Sequence, residues 1–195
     1  MPPELNTQMN AEFSATLSLG MLGLDVYADK ACLLGPDASL LESLMRDIAS
    51  LWPVFQDIIQ AEKIPAALGL NDTQGWEADL TFCDNETIQS LNAQYRHKNQ
   101  ATDVLSFCLF ADQPQSQRAV MAKLPLVSLG SVFVSIAWAK AEAEKTGQDL
   151  SGYILERVFH GFLHLLGAHH DTMPDYERVK KIQATVLASR GHQGA

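Results

Sequence analysis

Residues 150–170 read LSGYILERVFHGFLHLLGAHH, and this stretch decides the fold. From Leu150 to Leu166 the residues Ile154, Leu155, Val158, Phe159, Phe162, Leu163 and Leu165 run nearly all round a helix. A helix that is apolar on every side belongs in the middle of a protein, with other elements packed against it. His160 and His164 are four residues apart, one turn on the same face, so two imidazole nitrogens can aim at one point. Gly167 can adopt the left-handed conformation that ends a helix, after which the chain can fold back and bring His170 to that point. One histidine on an apolar helix is ordinarily a hydrogen-bonded core residue. Three, at spacings of four and six with glycine at the bend, read as ligands of one zinc ion. Three protein nitrogens leave a fourth position open, which is the catalytic and not the structural kind of zinc site.

Outward from this helix, residues 175–188 read as an amphipathic helix covering it. Upstream, residues 136–145 read as a helix closed by Gly147, and residues 129–135 as a strand. Asp84 or Asn85 can cap a helix that runs through Ile88, Leu91, Asn92 and Tyr95 to Arg96. Residues 22–27, 77–83 and 103–110 read as strands. Residues 38–59 form a helix with Leu41, Leu44, Ile48, Leu51 and Phe55 on one stripe and Pro53 as a kink or break. Residues 63–76 are a turn-rich connection and residues 111–124 a polar loop. The order predicts an α/β fold: a single mixed sheet of about four strands with helices packed on it, the histidine helix at its centre. Residues 1–20, rich in Asn, Gln, Ser and Thr, are expected to be a loosely ordered extension, and residues 21–195 a single catalytic domain.

The 195 residues are 47% hydrophobic and 19% charged, ordinary for a globular domain, with a net charge of −9. Residues 151–195 hold five Lys/Arg against four Asp/Glu, so the excess acid lies in the preceding 150. A generally basic nucleic-acid coat is excluded, and an RNA substrate would be held by local cations and a metal, with modest, salt-sensitive affinity. Cys32, Cys83 and Cys108 are odd in number and far apart, which predicts reduced core thiols and no disulfide partner. No apolar run approaches the length of a membrane span, and no basic-then-apolar leader follows Met1. A cytoplasmic location is expected.

The histidine spacing matches the long zinc-protease motif except at position 161, where Gly stands in place of the general-base Glu. Loss of that proton acceptor removes help worth roughly a hundred- to ten-thousand-fold in rate. Gly161 is instead expected to leave room beside the metal for a phosphate with its sugar. A second segment offers what a phosphate needs: Leu91-Asn92-Ala93-Gln94-Tyr95-Arg96-His97-Lys98, then Thr102-Asp103-Val104-Leu105-Ser106-Phe107. The planar fork of Arg96 suits phosphate oxygens and charge developing in phosphoryl transfer. The alternative is a solvated helix end whose cations meet the helix dipole.

With these two segments the chain resembles the YbeY-type metal-dependent endoribonucleases that mature ribosomal RNA. The signature His-Gly-x-Leu-His-Leu-x-Gly-x-Asp-His stands at His160 to His170. Leu-Asn-x-x-Tyr-Arg followed by Thr-Asp-Val-Leu-Ser-Phe stands at Leu91 to Arg96 and Thr102 to Phe107, with Leu129-Gly130 a weaker third element. The likeness spans roughly residues 76 to 187. It implies an α/β protein with one Zn2+ that cleaves single-stranded RNA in small-subunit ribosomal RNA maturation and ribosome quality control. Its partners would be ribosomal RNA and the small ribosomal subunit. Carried over by position, His160, His164 and His170 are the metal ligands and Arg96 is the catalytic or substrate-binding arginine. Two positions depart from the pattern: His169 and Ser131 each stand where the family has Asp. A lost carboxylate beside the third ligand removes an acceptor for an imidazole N–H. Asp171 is the nearby substitute, and His169 a competitor to His170 for the ion. Two rival functions stay open: a metal-dependent peptidase drawing a carboxylate from Glu142, Glu144 or Glu156, and a non-catalytic ribosome assembly factor with a structural metal.

Overall fold

The computed structural model describes residues 11–20, 22–29, 32, 37–70, 75–170 and 172–190. Five strands, β1 (Ala11–Leu19), β2 (Leu22–Asp29), β3 (Gly75–Cys83), β4 (Val104–Cys108) and β5 (Leu126–Ser135), form one sheet in the order β1-β2-β3-β5-β4. The two end pairs, β1 with β2 and β4 with β5, are antiparallel, while β2, β3 and β5 run parallel. Parallel neighbours need crossovers. Helices α1 (Ala38–Ala61) and α2 (Ile64–Ala67) supply the first. Between β3 and β5 the chain passes through α3 (Asn85–Arg96), the edge strand β4 and α4 (Gln115–Met121), and then α5 (Ile136–Thr146), α6 (Leu150–Leu165) and α7 (Met173–Ala188) close the chain.

The mixed sheet with a central histidine helix is the expected fold, with one strand more than the four read from the sequence. The fifth is β1, which lies inside the stretch expected to be a loose extension. An antiparallel edge strand needs only one apolar face. Thr16 and Ser18 are exposed while Leu19 is buried, so half of β1 reads as polar tail. Residues 1–10 lie outside the described residues. Two further expectations are corrected. Helix α1 continues through Pro53 without a break, because Leu51, Trp52 and Phe55 around it are buried. Trp52 meets Phe162, and Phe55 meets Phe159, with ring centroids 5.3 and 5.1 Å apart, and this packing offsets the lost backbone hydrogen bond. Residues 111–124 are not all loop but contain α4, which buries no side chain and so carries no apolar stripe to read.

Helix α6 packs on β4 and β5 and is flanked by α1, α5 and α7, as its apolar circumference requires. The large core joins these helices to Leu24, Val26, Leu80, Phe82, Val132 and Val134 on one sheet face. On the other face α3 covers a smaller cluster of Cys83, Ile88, Leu91, Leu105 and Phe133. All three cysteines are free. Burial pushes the Cys32 thiol up to about 11 and that of Cys108 up to about 12, so both are protonated, unreactive groups at neutral pH. Among the described residues no helix is long and apolar enough to cross a membrane.

Candidate metal centre

Asp149 caps α6 by accepting the backbone N–H of Gly152, and the helix then carries His160 and His164 out along one face. Their Nε2 atoms stand 3.0 Å apart. The far end of α6 is closed by two crossed bonds: Ala168 N–H donates to the Leu163 carbonyl at 2.9 Å, and Gly167 N–H to that of His164 at 2.8 Å. This Schellman turn demands a left-handed residue, and Gly167 supplies it with φ 69°. The chain reverses there and the His170 ring comes within 5.3 Å of His160 and 5.0 Å of His164, centroid to centroid. One nitrogen from each of the three rings lies within 4.8 Å of the others.

His160 and His164 are held in the uncharged form that a metal ligand must have. Burial, more than any neighbour, lowers the pKa of His160. Burial likewise brings His164 down to about 4, helped by His160, His170, His169 and Arg96. Three half-buried imidazoles gathered at one point could hold a metal ion.

The histidines form one wall of a cleft of about 680 Å³ whose other lining residues include Tyr95, Arg96, Asp103, Ser106 and Asp112. Arg96 is the last residue of α3, and His97 follows with φ 58°, ending the helix. Of the basic group Arg96, His97 and Lys98, only Arg96 lines the cleft. Strand β4 forms the floor. Asp103 is held there by Arg157 Nε at 2.9 Å and by the Val104 N–H at 2.9 Å. Cys108 Sγ donates to the His164 carbonyl at 3.1 Å, joining β4 to α6.

The expected role of Gly161 is overturned. Gly161 is buried and faces β5, not the cleft; a β-carbon there would lie 2.4 Å from Val132 Cγ1 and 3.2 Å from Ser106 Oγ. The glycine lets α6 sit down on the sheet and makes no room beside the histidines. His169 is half exposed and turns toward Asp112, 3.9 Å away, and does not join the three-ring cluster. Ser131 lies off the cleft, donating to Asp79 Oδ2 at 3.2 Å across β3 and β5. Asp171 lies outside the described residues. Glu142, Glu144 and Glu156, the carboxylates a peptidase would draw on, do not line the cleft, whereas Asp103 and Asp112 do. Asp103 and Ser106 sit inside the second quoted motif, so the sequence held the signal for them; Asp112 had none.

The model of the family described as Endoribonuclease YbeY matches residues 48–191, which include Arg96 and all three histidines. The chain belongs to the YbeY family. Among curated YbeY relatives, one named Endoribonuclease YbeY from Bacillus cereus is 33% identical over 153 residues, 78% of this chain and 97% of its own. Another of that name, from a Sulfurihydrogenibium strain, is 41% identical over 111 residues, 57% of this chain and 65% of its own. The solution structure of a Thermotoga maritima protein aligns with a TM-score of 0.47 at 21% identity, covering 88% of this chain and 93% of that one. Strands β1 and β2 precede the matched YbeY region.

Proposed function

We propose that this YbeY-family protein is a zinc-dependent endoribonuclease, a hydrolase that cuts single-stranded RNA during small-subunit ribosomal RNA maturation and ribosome quality control. Its partners are then ribosomal RNA and the small ribosomal subunit, and its place is the cytoplasm. The catalytic unit is the expected domain from residue 21 onward, extended by β1.

The carrying observation is that three clustered imidazoles and one guanidinium line the same open cleft. His160, His164 and His170 would hold a single Zn2+, leaving one face of the ion toward the cleft. When bound, such an ion supplies Lewis acidity to a phosphate oxygen or to the attacking hydroxyl. Arg96 binds and orients the phosphodiester and offsets the negative charge that builds up as it is cut. Tyr95 and Phe107 give that rim an apolar wall; their rings pack edge to face at 5.1 Å. Asp103, already engaged by Arg157, helps keep β4 and α6 in register. The overall charge of −9 repels RNA, so binding is confined to this rim and weakens quickly as salt rises.

The test is incubation of the purified protein with labelled single-stranded RNA, with and without a chelator, beside His164→Ala. Cleavage that disappears in both arms supports the nuclease. RNA binding with no cleavage in any arm supports the docking factor with a structural metal. Chelator-sensitive cleavage of a peptide pool instead of RNA supports the peptidase.

A further inference from the structure

The two nitrogens of His160 face different surroundings. Nε2 meets His164 at the centre of the cluster. Nδ1 is buried and has no partner in good hydrogen-bond geometry. His160 also borders a second, smaller cavity of about 290 Å³ between α6 and α7, shared with Glu156, Val179 and Gln183.

Among the described residues Gln183 is one of the few polar side chains that is almost wholly buried, at 4% exposure. Burying an amide is costly unless both its ends are used. The Nε2 end donates to the backbone carbonyl of Glu156 at 2.9 Å. Glu156 is four residues before His160, so this bond ties α7 to the turn of α6 that carries the ring. It also fixes which end of the amide is left over: the acceptor, Oε1. Gln183 and His160 line the same small cavity, so the spare acceptor and the unpartnered ring nitrogen both belong to the contact between α6 and α7.

We infer that Gln183 is a positioning residue: its Oε1 takes the Nδ1–H of His160, fixing the tautomer that turns the Nε2 lone pair toward the ion. The inference rests on His160 being a metal ligand as proposed above. An acceptor behind a ligating imidazole sets the ring's tautomer and orientation, and its loss typically costs ten- to a hundredfold in metal affinity.

The test uses full-length protein, parent, Gln183→Met and Gln183→Glu, with zinc affinity measured by competition against a chelator. The tautomer of His160 is read by nitrogen-15 NMR in the metal-free protein. Methionine keeps the length and removes both polar ends; glutamate keeps the acceptor. The expected result is an Nδ1–H ring in the parent, zinc binding about ten- to a hundredfold weaker in Gln183→Met, and affinity restored in Gln183→Glu. Unchanged affinity and an unchanged tautomer in Gln183→Met would overturn the assignment. Should that variant fail to fold, Gln183→Glu decides: zinc binding at least as tight as the parent supports it, and a tenfold loss overturns it. A parent that binds no zinc, yet shows an Nδ1–H ring lost in Gln183→Met, would sink the metal reading while leaving the hold of Gln183 on His160 standing.

Discussion

Gly161 on α6 rests against Val132 on β5 so closely that a β-carbon would come within 2.4 Å of a valine methyl. Helix and sheet therefore meet backbone to side chain at the same level as His160, and the spacing of the floor from α6 is set there. Gly161→Ala should lower unfolding stability by roughly 1–3 kcal/mol through overpacking, seen as a fall in the denaturant midpoint. Gly161→Glu should yield no peptidase activity, because the carboxylate would be driven into the sheet and away from the histidines. A midpoint equal to the parent's for the alanine variant would contradict the contact.

Arg96→Ala should retain the parent's zinc content and lose about a hundredfold or more in RNA cleavage, the scale seen when one preorganised charge-stabilising donor is removed. Arg96→Lys should recover only part of this, since a point charge lacks the two-pronged fit to phosphate. Metal analysis alongside a cleavage assay checks it. Loss of zinc, or normal cleavage, would show that Arg96 has another role.

His160→Ala should both release the ion and destabilise the fold, because ligand binding energy is also folding energy. For the parent, saturating zinc should raise the melting temperature over the chelated protein, with the increment growing as free zinc rises above its Kd. The same titration on His160→Ala should give little or no shift. Equal shifts in the two proteins would remove His160 from the ligand set.

Asp149 accepts the Gly152 N–H at 2.8 Å and a bond from Arg190 Nη1 at 2.6 Å. The Gly152 N–H first, then Arg190, hold its pKa below the ordinary carboxylate value. A carboxylate depressed in the folded state adds stability above its unfolded pKa, and that contribution fades as pH falls through the folded value. Asp149→Ala should thus cost about 1 kcal/mol at pH 7, the usual worth of a helix cap. The gap between parent and variant should narrow below about pH 4, where the unfolded carboxyl takes up its proton. Denaturant titrations of both proteins at pH 7 and pH 3 measure this, and a gap that widens on acidification would refute the cap's role.

The legible parts of the chain were those where a single period governs burial. Helix α6 is apolar all round and so reads as central, and β2 carries buried residues at every second position. The capped start of α3 and its end at Arg96 could be read because Asp84 and the polar run after it are local signals. The strand β1 escaped because its exposed face looks like a polar tail, and α4 because it buries nothing. At the site the spacing of the histidines was sufficient to bring them together. The direction in which Gly161 points was not readable, since it depends on which side of α6 meets β5. Gln183 was invisible for the same reason: a lone glutamine in an amphipathic helix gains meaning only when α7 lies across Glu156 and His160.

The third imidazole reaches the cluster through a reversal of backbone held by two carbonyls of α6 itself, those of Leu163 and His164. Whatever occupies the cluster is thereby fastened to the final turn of a helix, the part of any helix most prone to fray. An occupant would act as a rivet across that turn, so amide exchange at Gly167 and Ala168 becomes a direct gauge of loading, sensitive before any global unfolding begins.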